Sequence, residues 1–233
     1  MRQVTTTTTD LWHHYGRTRA ATDRTVPAEF CWNWSQNSGP GAEVLGDLSG
    51  RIVGDLGAGA ARHAAHLATE HQPFRVIAVD SSPAQYAMAT DLFGHLAPRL
   101  HIVGSDVLDH LQTMVRSYDV LYSIFGAVDF TDPRKLLPAM SAALQPGGRL
   151  VFSTLAHYLS GAPAQPDAVA ADIPAKTPDG GATTLRRWVL QEHVWTKLLD
   201  EAGFTGIGID VLPASKGLRA AHTLLVTASR PKD

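Results

Sequence analysis

Short apolar runs alternate with longer segments of helical period along the chain from residue 51 onward. The runs are rich in Val, Ile, Leu and Phe, a composition typical of strands that are covered on both faces. This alternation predicts βαβ units and a parallel sheet. The predicted strands are Arg51 to Leu56, Phe74 to Asp80, His101 to Ser105, Val120 to Ile124 and Arg149 to Thr154.

Helix signals fill the gaps between these strands. The first helix is predicted from Ala60 to Glu70. Two later helices begin with an N-cap residue followed by proline at the first helical position, in the pairs Ser82-Pro83 and Asp132-Pro133. The second of these pairs precedes an apolar helical segment from Leu136 to Leu144. The turn residues Gln145 to Gly148 then end the helix and lead into the fifth strand.

The C-terminal part of the chain predicts one more helix and an antiparallel edge. An amphipathic helix from about Leu190 to Ala202 ends at Gly203. Two closely spaced strands follow, Gly206 to Val211 and His222 to Ala228. The predicted fold is therefore α/β: a Rossmann-like, doubly wound, seven-stranded sheet that is mostly parallel and has an antiparallel edge strand.

Two segments interrupt the regular pattern. The stretch from Gly161 to Ala182 is rich in Ala, Pro, Gly and Asp and is too long for a simple connection, which indicates a lid or insertion at about 159–187. Before the sheet, an N-terminal segment (1–45) carries aromatic residues that could cover a ligand. The remainder, 46–233, is expected to form one ligand-binding domain. The aromatic residues are Trp12, Tyr15, Phe30, Trp32 and Trp34.

Composition narrows the class of protein. The 233 residues are 44% hydrophobic, enough to bury the core of one α/β domain. The 20 Lys and Arg against 22 Asp and Glu give a net charge of -2, which provides no attraction to nucleic acids or acidic membranes. Cys31 is the single cysteine, and no apolar stretch reaches membrane-spanning length. We expect a cytoplasmic protein, and the sequence leaves monomer and homodimer open.

A glycine-containing loop follows the first strand. Gly57, Ala58 and Gly59 lie at the turn from strand to helix, where a ligand can approach backbone amides. Asp55 precedes the first glycine by two residues, and the third glycine of the dinucleotide fingerprint is absent. An acid at this point suits a cationic amine better than a pyrophosphate.

Two further acids end the next two strands. Asp80 follows Asp55 by 25 residues and ends the second strand, where a carboxylate can accept both hydroxyls of a ribose. Asp106 ends the third strand, where it could accept the amino group of an adenine. Each acid alone is more often a solvated residue or a helix cap. Together they favour a ligand site, because parallel strands gather binding groups at their carboxyl ends.

At these residues the chain resembles the class I S-adenosylmethionine-dependent methyltransferases over about residues 45 to 230. The acid and glycines of the family motif match Asp55, Gly57 and Gly59, whereas the third family glycine is Ala61. The resemblance implies S-adenosyl-L-methionine as the cofactor and S-adenosyl-L-homocysteine as the product. The residues expected to contact the cofactor are Tyr15, Asp55, Gly57, Ala58, Gly59, Asp80, Ser81, Asp106, Val107, Ser123 and Phe125.

Methyl transfer from a sulfonium requires mainly that the nucleophile, methyl carbon and leaving sulfur are aligned. Aromatic faces can hold the positive sulfonium, and Trp12, Tyr15, Trp32 and Trp34 are candidates, although packing alone explains any one of them equally well. Tyr15 ranks first because the resemblance includes an N-terminal helix with a Trp and a Tyr near the cofactor.

A hydroxyl or protonated amine acceptor would need a general base, for which histidine has the appropriate pKa. His14, beside Tyr15, and His157, just after the fifth strand, are the candidates. No metal site is expected, because the chain lacks the His-Glu-x-x-His spacing and any Cys cluster. The fourth strand leads to Ser123-Ile124-Phe125-Gly126 rather than an Asn-Pro-Pro-Tyr type sequence, which favours a small-molecule acceptor over DNA or a protein glutamine.

Three other functions stay open at this point. A methyltransferase-like enzyme could use S-adenosylmethionine without methylating, for instance by cyclising its aminobutyrate arm. A nicotinamide oxidoreductase is disfavoured by Asp55 and by the missing third glycine. A non-catalytic binding module could retain the fold. The identity of the acceptor atom is not readable from the sequence, and a role in specialised metabolism is inferred by family analogy.

Overall fold

The computed structural model describes residues 9–214 and 220–232, and its strands form a seven-stranded sheet and a separate two-stranded sheet. The first eight residues of the predicted N-terminal segment lie outside this description. The strands are β1 (Ile52–Leu56), β2 (Arg75–Asp80), β3 (Leu100–Gly104), β4 (Tyr118–Ile124), β5 (Leu144–Leu155), β6 (Ala171–Lys176), β7 (Ala182–Arg187), β8 (Thr205–Leu212) and β9 (Thr223–Ser229).

The described part of the chain contains seven α-helices and two short 3-10 helices, of which the first of each kind precedes β1. The α-helices are α1 (Arg17–Thr22), α2 (Arg62–Glu70), α3 (Pro83–Phe93), α4 (Val107–Thr113), α5 (Ala127–Phe130), α6 (Pro133–Ala143) and α7 (Glu192–Glu201). The 3-10 helices are Ala42–Leu45 and Gly94–Leu96. No helix among the described residues is long and apolar enough to cross a membrane.

The large sheet has the strand order β3-β2-β1-β4-β5-β9-β8. The strands β1 to β5 are parallel to their neighbours, whereas β9 is antiparallel to both β5 and β8. This confirms the predicted Rossmann-like, doubly wound, seven-stranded sheet with antiparallel pairing at one edge. The chain leaves β1 in one direction and continues from β4 in the other, so the switch point lies between β1 and β4.

Both N-cap predictions are confirmed. The Ser82 hydroxyl accepts the Gln85 amide at 3.2 Å, and the Asp132 carboxylate accepts the Arg134 amide at 3.0 Å. Each satisfies one of the amides that a helix N-terminus leaves without an intrahelical partner. Proline follows each cap and begins α3 and α6, as the sequence predicted.

The fifth strand begins five residues earlier than predicted. Leu144 already pairs with Tyr118, and the regular ladder resumes when Arg149 pairs with Val120. The residues between form an irregular turn in which Gly147 has a φ of +74°. The predicted turn is therefore present, but it lies inside a strand that pairs on both sides of it.

Each face of the sheet buries its own apolar core. The α6 and α7 face includes Phe152 and Trp195, whose ring centroids are 5.1 Å apart. The α2 and α3 face includes Phe30 and Trp32 from the N-terminal segment, and the Trp32 indole donates to the Gly41 carbonyl at 2.9 Å. Part of the predicted aromatic lid segment thus belongs to the core of the domain.

The insertion between β5 and α7 contains an antiparallel hairpin of β6 and β7. Strand prediction missed it, because its residues carry Pro174 and alternating small polar side chains rather than an apolar run. The Gln165 amide donates to the Val189 carbonyl at 2.8 Å, and the Gln191 amide donates to the Gln165 carbonyl at 3.0 Å. The segment that contains the hairpin therefore begins and ends at neighbouring points of the domain.

Candidate functional site

The loop after β1 packs directly on the backbone that follows β4. The amides of Gly57 and Ala58 donate to the Val79 carbonyl at 2.9 and 3.0 Å. Gly57 has a φ of +76°, and a Cβ placed on it would lie only 2.2 Å from the Ala127 amide nitrogen. A side chain at this position would force the two loops apart. The glycine is required by both its backbone conformation and this close approach.

The Asp80 carboxylate closes the same loop from the end of β2. Its Oδ2 accepts the Gly59 amide at 2.8 Å, and its Oδ1 accepts the Ser82 amide at 2.9 Å. Burial raises the pKa of Asp80, and these two amides oppose the rise. Each carboxylate oxygen has two acceptor positions, so Asp80 retains capacity for ligand hydroxyls after both amides are bonded.

Asp55 is buried beside the switch point, with 3% of its surface exposed. The Tyr122 hydroxyl donates to its Oδ2 at 2.9 Å. Burial raises the pKa of Asp55 to about 7; the Tyr122 hydrogen bond lowers it, and the nearby Asp80 charge raises it. Sequence analysis did not select Tyr122, although the parallel register pairs it with Asp55 across β1 and β4.

Asp106 is the N-cap of α4. Its Oδ1 accepts the amides of Leu108 and Asp109 at 2.8 and 3.3 Å, and the residue is exposed. The structure thus gives Asp106 the capping role that was the alternative to ligand binding, and its Oδ2 is left for a ligand. Val107 is buried behind it, and Ser81 is exposed after Asp80.

The backbone after β4 places Ser123 and Phe125 differently. The Ser123 hydroxyl is fully buried and donates to the Leu56 carbonyl at 2.7 Å, which fixes β4 to the end of β1. Phe125 has a φ of +47°, and its ring meets the Trp34 ring edge-on with centroids 5.0 Å apart. Their contacts with a cofactor stay a prediction.

A strap formed by residues 10–16 crosses the carboxyl ends of the strands. Asp10 accepts the Ser82 hydroxyl at 2.8 Å and the Ala84 amide at 3.1 Å, which attaches the strap to α3. The Trp12 ring meets the Phe130 ring of α5 edge-on at 4.6 Å. The strap thus extends from the Asp80 side of the site to the β4 side.

Gln85 also holds the strap. Its side-chain Nε2 donates to the carbonyls of Trp12 and Tyr15, both at 2.9 Å. The Tyr15 ring is 60% exposed, so most of its surface is free of protein contacts. Asp10 and Gln85 were not selected from the sequence, because both act through partners more than 65 residues away.

The two histidine candidates lie in different surroundings. His14 is exposed, and its Nε2 lies 3.1 Å from the Thr177 carbonyl of the hairpin. Both ring nitrogens of His157 have backbone partners, since Nδ1 lies 3.0 Å from the Tyr158 carbonyl and Nε2 accepts the His222 amide at 3.3 Å. His157 would have to release that amide before accepting a proton from a ligand.

An ion pair buried beneath the strap connects the hairpin to α5. Asp129 is fully buried, and its Oδ2 accepts from both Nε and Nη2 of Arg187. The guanidinium carbon lies 5.4 Å from the Trp34 ring centroid and 5.3 Å from that of Phe130. Burial raises the pKa of Asp129, and Arg187 opposes the rise. The sequence pattern around Asp129 and Arg187 does not differ from that of exposed charged residues, so the burial of this pair could not be predicted.

Two cavities, of about 630 and 190 Å³, lie at the opposite edge of the sheet. Their walls come from residues that precede β2 and β3, such as Phe74 and Pro98, or that begin β4 and β5. Neither cavity is lined by Asp55, Asp80, Asp106 or the glycine loop. The described residues also contain no cluster of three or more potential metal ligands. The candidate site is therefore the strap-covered edge at the carboxyl ends of β1 to β5.

Comparison with protein families identifies the central part of the chain. Residues 53–148 match the family described as methyltransferase domain, and this range contains the glycine loop and all three strand-end acids. No curated protein sequence is significantly similar to the chain.

Solved structures share the fold at low sequence identity. A candidate S-adenosylmethionine-dependent methyltransferase from Listeria monocytogenes is 17% identical, with 82% of this chain and 95% of that chain covered and a TM-score of 0.64. A methyltransferase from Mesorhizobium loti is 23% identical over 80% of this chain and 94% of that chain, with a TM-score of 0.58. The 1,6-didemethyltoxoflavin-N1-methyltransferase of Burkholderia thailandensis is 22% identical over 79% and 72%, with a TM-score of 0.54.

Proposed function

We propose that the protein transfers a methyl group from S-adenosylmethionine to a small-molecule acceptor, because residues 53–148 match the methyltransferase-domain family and the sheet has the fold of the class I S-adenosylmethionine-dependent methyltransferases. One observation carries the proposal: the Asp80 carboxylate is fixed by the Gly59 amide at 2.8 Å and retains acceptor positions beside the buried Asp55. This arrangement suits a ribose next to a cationic amine.

The side chains at this edge fit such a cofactor. Asp80 would hold the ribose, Asp106 with Val107 the adenine, and Asp55 the ammonium group. The buried Gln85 Oε1 has no hydrogen-bond partner among the described residues and faces the loop at Gly59, as expected where a ligand donor is missing. The bound cofactor would supply an electrophilic methyl group on a sulfonium.

The protein's own groups would orient this cofactor and exclude water. An ammonium near Asp55 favours the ionised carboxylate and would lower its pKa from about 7. The exposed Tyr15 ring offers a π face to a sulfonium, a contact worth roughly 0.5 to 2 kcal/mol. Gly57, Ala58, Ser81, Ser123 and Phe125 complete the proposed cofactor-binding set.

The acceptor would bind between the strap and the hairpin. The aromatic rings of Trp12, Trp34, Phe125 and Phe130, which contact one another or Arg187, would form the walls of this space together with the Asp129–Arg187 pair. We accordingly propose the N-terminal segment (1–45) as a lid of a methyltransferase domain at 46–233, with the strap as its covering part and with Phe30 and Trp32 packed in the domain core. Residues 159–187 would form a second lid. Aromatic walls suit a small acceptor better than a polymer chain.

His14 and His157 remain the proposed general bases. His14 lies on the strap and its Nε2 contacts the hairpin carbonyl of Thr177, so a neutral ring that donates there has Nδ1 available as acceptor. His157 follows β5, and it could act as the base only after releasing the His222 amide. Alignment alone can supply roughly 7 to 11 kcal/mol of barrier reduction, so a base is needed only for acceptors that must lose a proton.

The biological setting is also a proposal. The methyltransferase from Burkholderia thailandensis, which shares the fold, has a structure with 1,6-didemethyltoxoflavin and S-adenosylhomocysteine bound. That example supports a small acceptor of specialised metabolism for this chain. A net charge of -2 supports an enzyme that binds neither nucleic acid nor acidic membranes, and the single cysteine supports the proposed cytoplasmic location. A monomer and a homodimer both stay open.

Calorimetric titration with S-adenosylmethionine, S-adenosylhomocysteine and NAD tests the cofactor. We expect binding of both sulfur ligands and none of NAD; failure of both sulfur ligands would contradict the proposal. A candidate-acceptor screen should then yield S-adenosylhomocysteine with a product 14 mass units heavier than its acceptor, the mass added by one methyl group. Methylthioadenosine without a methylated product would instead support cyclisation of the aminobutyrate arm.

A further inference from the structure

We propose that Gln85 contacts the ribose of the cofactor and, through the same amide group, couples cofactor binding to closure of the strap. The inference rests on the proposed function, since it requires a cofactor at the glycine loop. It assigns a role to a residue that lies outside the glycine motif and outside the set of strand-end acids. Three features of the amide carry it: its orientation, its free acceptor and its position.

The orientation of the Gln85 amide is fixed by the strap. Its Nε2 donates to the carbonyls of Trp12 and Tyr15, both at 2.9 Å. Rotating the amide by 180° would bring its own carbonyl oxygen against these two carbonyl oxygens and replace two hydrogen bonds with repulsion. Oε1 must therefore face the opposite way.

The opposite direction is that of the glycine loop. The Gln85 Oε1 lies 3.5 Å from the position that a Cβ on Gly59 would occupy. Gln85 is 2% exposed, and its Oε1 has no hydrogen-bond partner within the described residues. A buried acceptor without a donor is costly, because its contact with water has been lost without replacement.

The three amides of the glycine loop already donate elsewhere. The amides of Gly57 and Ala58 donate to the Val79 carbonyl, and the Gly59 amide donates to Asp80. We therefore assign the missing hydrogen-bond donor for Gln85 Oε1 to a bound ligand. A cofactor at this site offers ribose hydroxyls, an adenine amino group and an ammonium group. Asp80, bonded to Gly59, places the ribose closest to Gln85, so that one ribose hydroxyl would donate to Asp80 and the other to Gln85 Oε1.

The same amide then connects two events. A ribose hydroxyl bound to Oε1 would fix the side chain that holds the Trp12 and Tyr15 carbonyls, so cofactor binding stabilises the closed strap. By thermodynamic linkage, the closed strap raises cofactor affinity by the same factor. Because the Trp12 ring contacts Phe130 on the acceptor side, cofactor binding would also stabilise the strap over the acceptor space.

The first experiment measures the hydroxyl contact. Calorimetry would compare S-adenosylhomocysteine with its 2′-deoxy and 3′-deoxy analogues for the wild type, Gln85→Met, Gln85→Glu and the control Gln112→Met, an exposed glutamine on α4. We expect loss of one hydroxyl to weaken wild-type, Gln112→Met and Gln85→Glu binding about tenfold. In Gln85→Met, the same loss should cost less than twofold.

The second experiment measures the strap. Trypsin can cleave after Arg17 and Arg19, which are exposed directly beyond the strap. S-adenosylhomocysteine should slow cleavage at these sites at least fivefold in the wild type and Gln112→Met. It should have no effect in Gln85→Met and a reduced one in Gln85→Glu, which keeps an acceptor towards Gly59 but loses at least one donor to the strap.

Each outcome separates the two proposals. Equal hydroxyl dependence in the wild type and Gln85→Met, with S-adenosylhomocysteine bound by both, overturns the role of Gln85 and leaves the proposed function intact. A wild type that does not bind S-adenosylhomocysteine overturns both. If Gln85→Met does not fold, Gln85→Glu decides: unchanged ligand protection of the strap in that variant contradicts the coupling.

Discussion

The Tyr122 hydroxyl donates to Oδ2 of the buried Asp55 at 2.9 Å and joins β4 to β1 beneath the glycine loop. It is the one side-chain donor that meets Asp55 among the described hydrogen bonds. Because a hydrogen bond to the ionised form favours that form, Tyr122 restrains the rise in the pKa of Asp55 that burial causes. The stability of the ligand-free protein should therefore depend on pH through this pair.

The pH dependence has a definite sign. The pKa of Asp55 rises from 3.8 to about 7 on folding, so between these values the folded protein holds a proton that the unfolded chain has released. Asp55 should therefore lower the free energy of unfolding by about 1.4 kcal/mol per pH unit over this window and contribute no further change above pH 7, whereas His63, whose pKa burial lowers from 6.5 to about 4, contributes the opposite slope between those two values. Urea unfolding from pH 5 to 8.5 would measure this dependence.

Two variants test the assignment to Asp55. Asp55→Asn should remove this component, and Tyr122→Phe should extend the fall in the free energy of unfolding above pH 7. An Asp55→Asn curve parallel to that of the wild type would contradict the assignment.

Asp80→Ala should weaken binding of S-adenosylhomocysteine and leave the fold intact. Charge-assisted hydrogen bonds of this kind are worth roughly 1.5 to 3 kcal/mol, which corresponds to about a 10-fold to 150-fold loss of affinity. Calorimetry with thermal melting as a check on folding would measure it, and Asp200→Ala, on the exposed side of α7, is the control. Unchanged affinity in Asp80→Ala would rule out this carboxylate as the ribose ligand.

Asp106 caps α4, so substitutions must separate capping from ligand binding. Asp106→Asn keeps a side-chain oxygen for the amides of Leu108 and Asp109 and should change stability by only a few tenths of a kcal/mol. Asp106→Ala should cost about 1 kcal/mol. If Asp106 also accepts the adenine amino group, Asp106→Asn should lower affinity for S-adenosylhomocysteine severalfold. Wild-type affinity in the Asn variant would leave Asp106 as a helix cap only.

The effects of replacing Asp129 and Arg187 on the free energy of unfolding should be strongly non-additive. Removing Arg187 leaves a buried carboxylate without its counterion, a change that typically costs about 3 to 5 kcal/mol. We expect Arg187→Met and Asp129→Leu each to destabilise the protein and the double variant to be more stable than either. Urea unfolding of the four proteins measures the coupling, and Arg134→Met, in the exposed pair with Asp132, is the control. Additive losses would contradict a mutually dependent pair.

His14→Ala and His157→Ala should both bind S-adenosylhomocysteine with wild-type affinity, because neither ring contacts the acids or the glycine loop in the structure. If one of them is the base, its variant should lose turnover with an acceptor that must release a proton, by about 10²-fold to 10⁴-fold. Initial rates across pH 6 to 9 measure this. Full turnover in both variants would remove both candidates.

The regular part of the fold was predictable because its signals are local. Strand runs, the caps Ser82 and Asp132, and the glycine loop each depend on neighbouring residues, and together they determined the sheet and the acids at its edge. The hairpin was missed because its strands pair only with each other and expose alternate residues. Their polar sequence is favourable at the surface but carries no core signal.

The contacts that assemble the site were not predictable for a different reason. Gln85 meets the strap 70 and 73 residues away, and Arg187 meets Asp129 58 residues away. Side chains of these types occur all along the chain, so their partners are set only when the sheet brings distant segments together. The same holds for His157, whose backbone partners include the amide of His222 on the other side of the chain's last helix.

The two ends of the segment that contains the hairpin lie side by side, so this segment can be replaced as a unit. Because Gln165 is bonded to both Val189 and Gln191, the segment between them begins and ends at adjacent points, and its replacement need not alter the sheet. If the hairpin borders the acceptor as proposed, exchanging this segment while keeping the glycine loop should change acceptor preference. Any replacement segment must keep a positively charged side chain at position 187. Without it, the buried carboxylate of Asp129 would have no counterion.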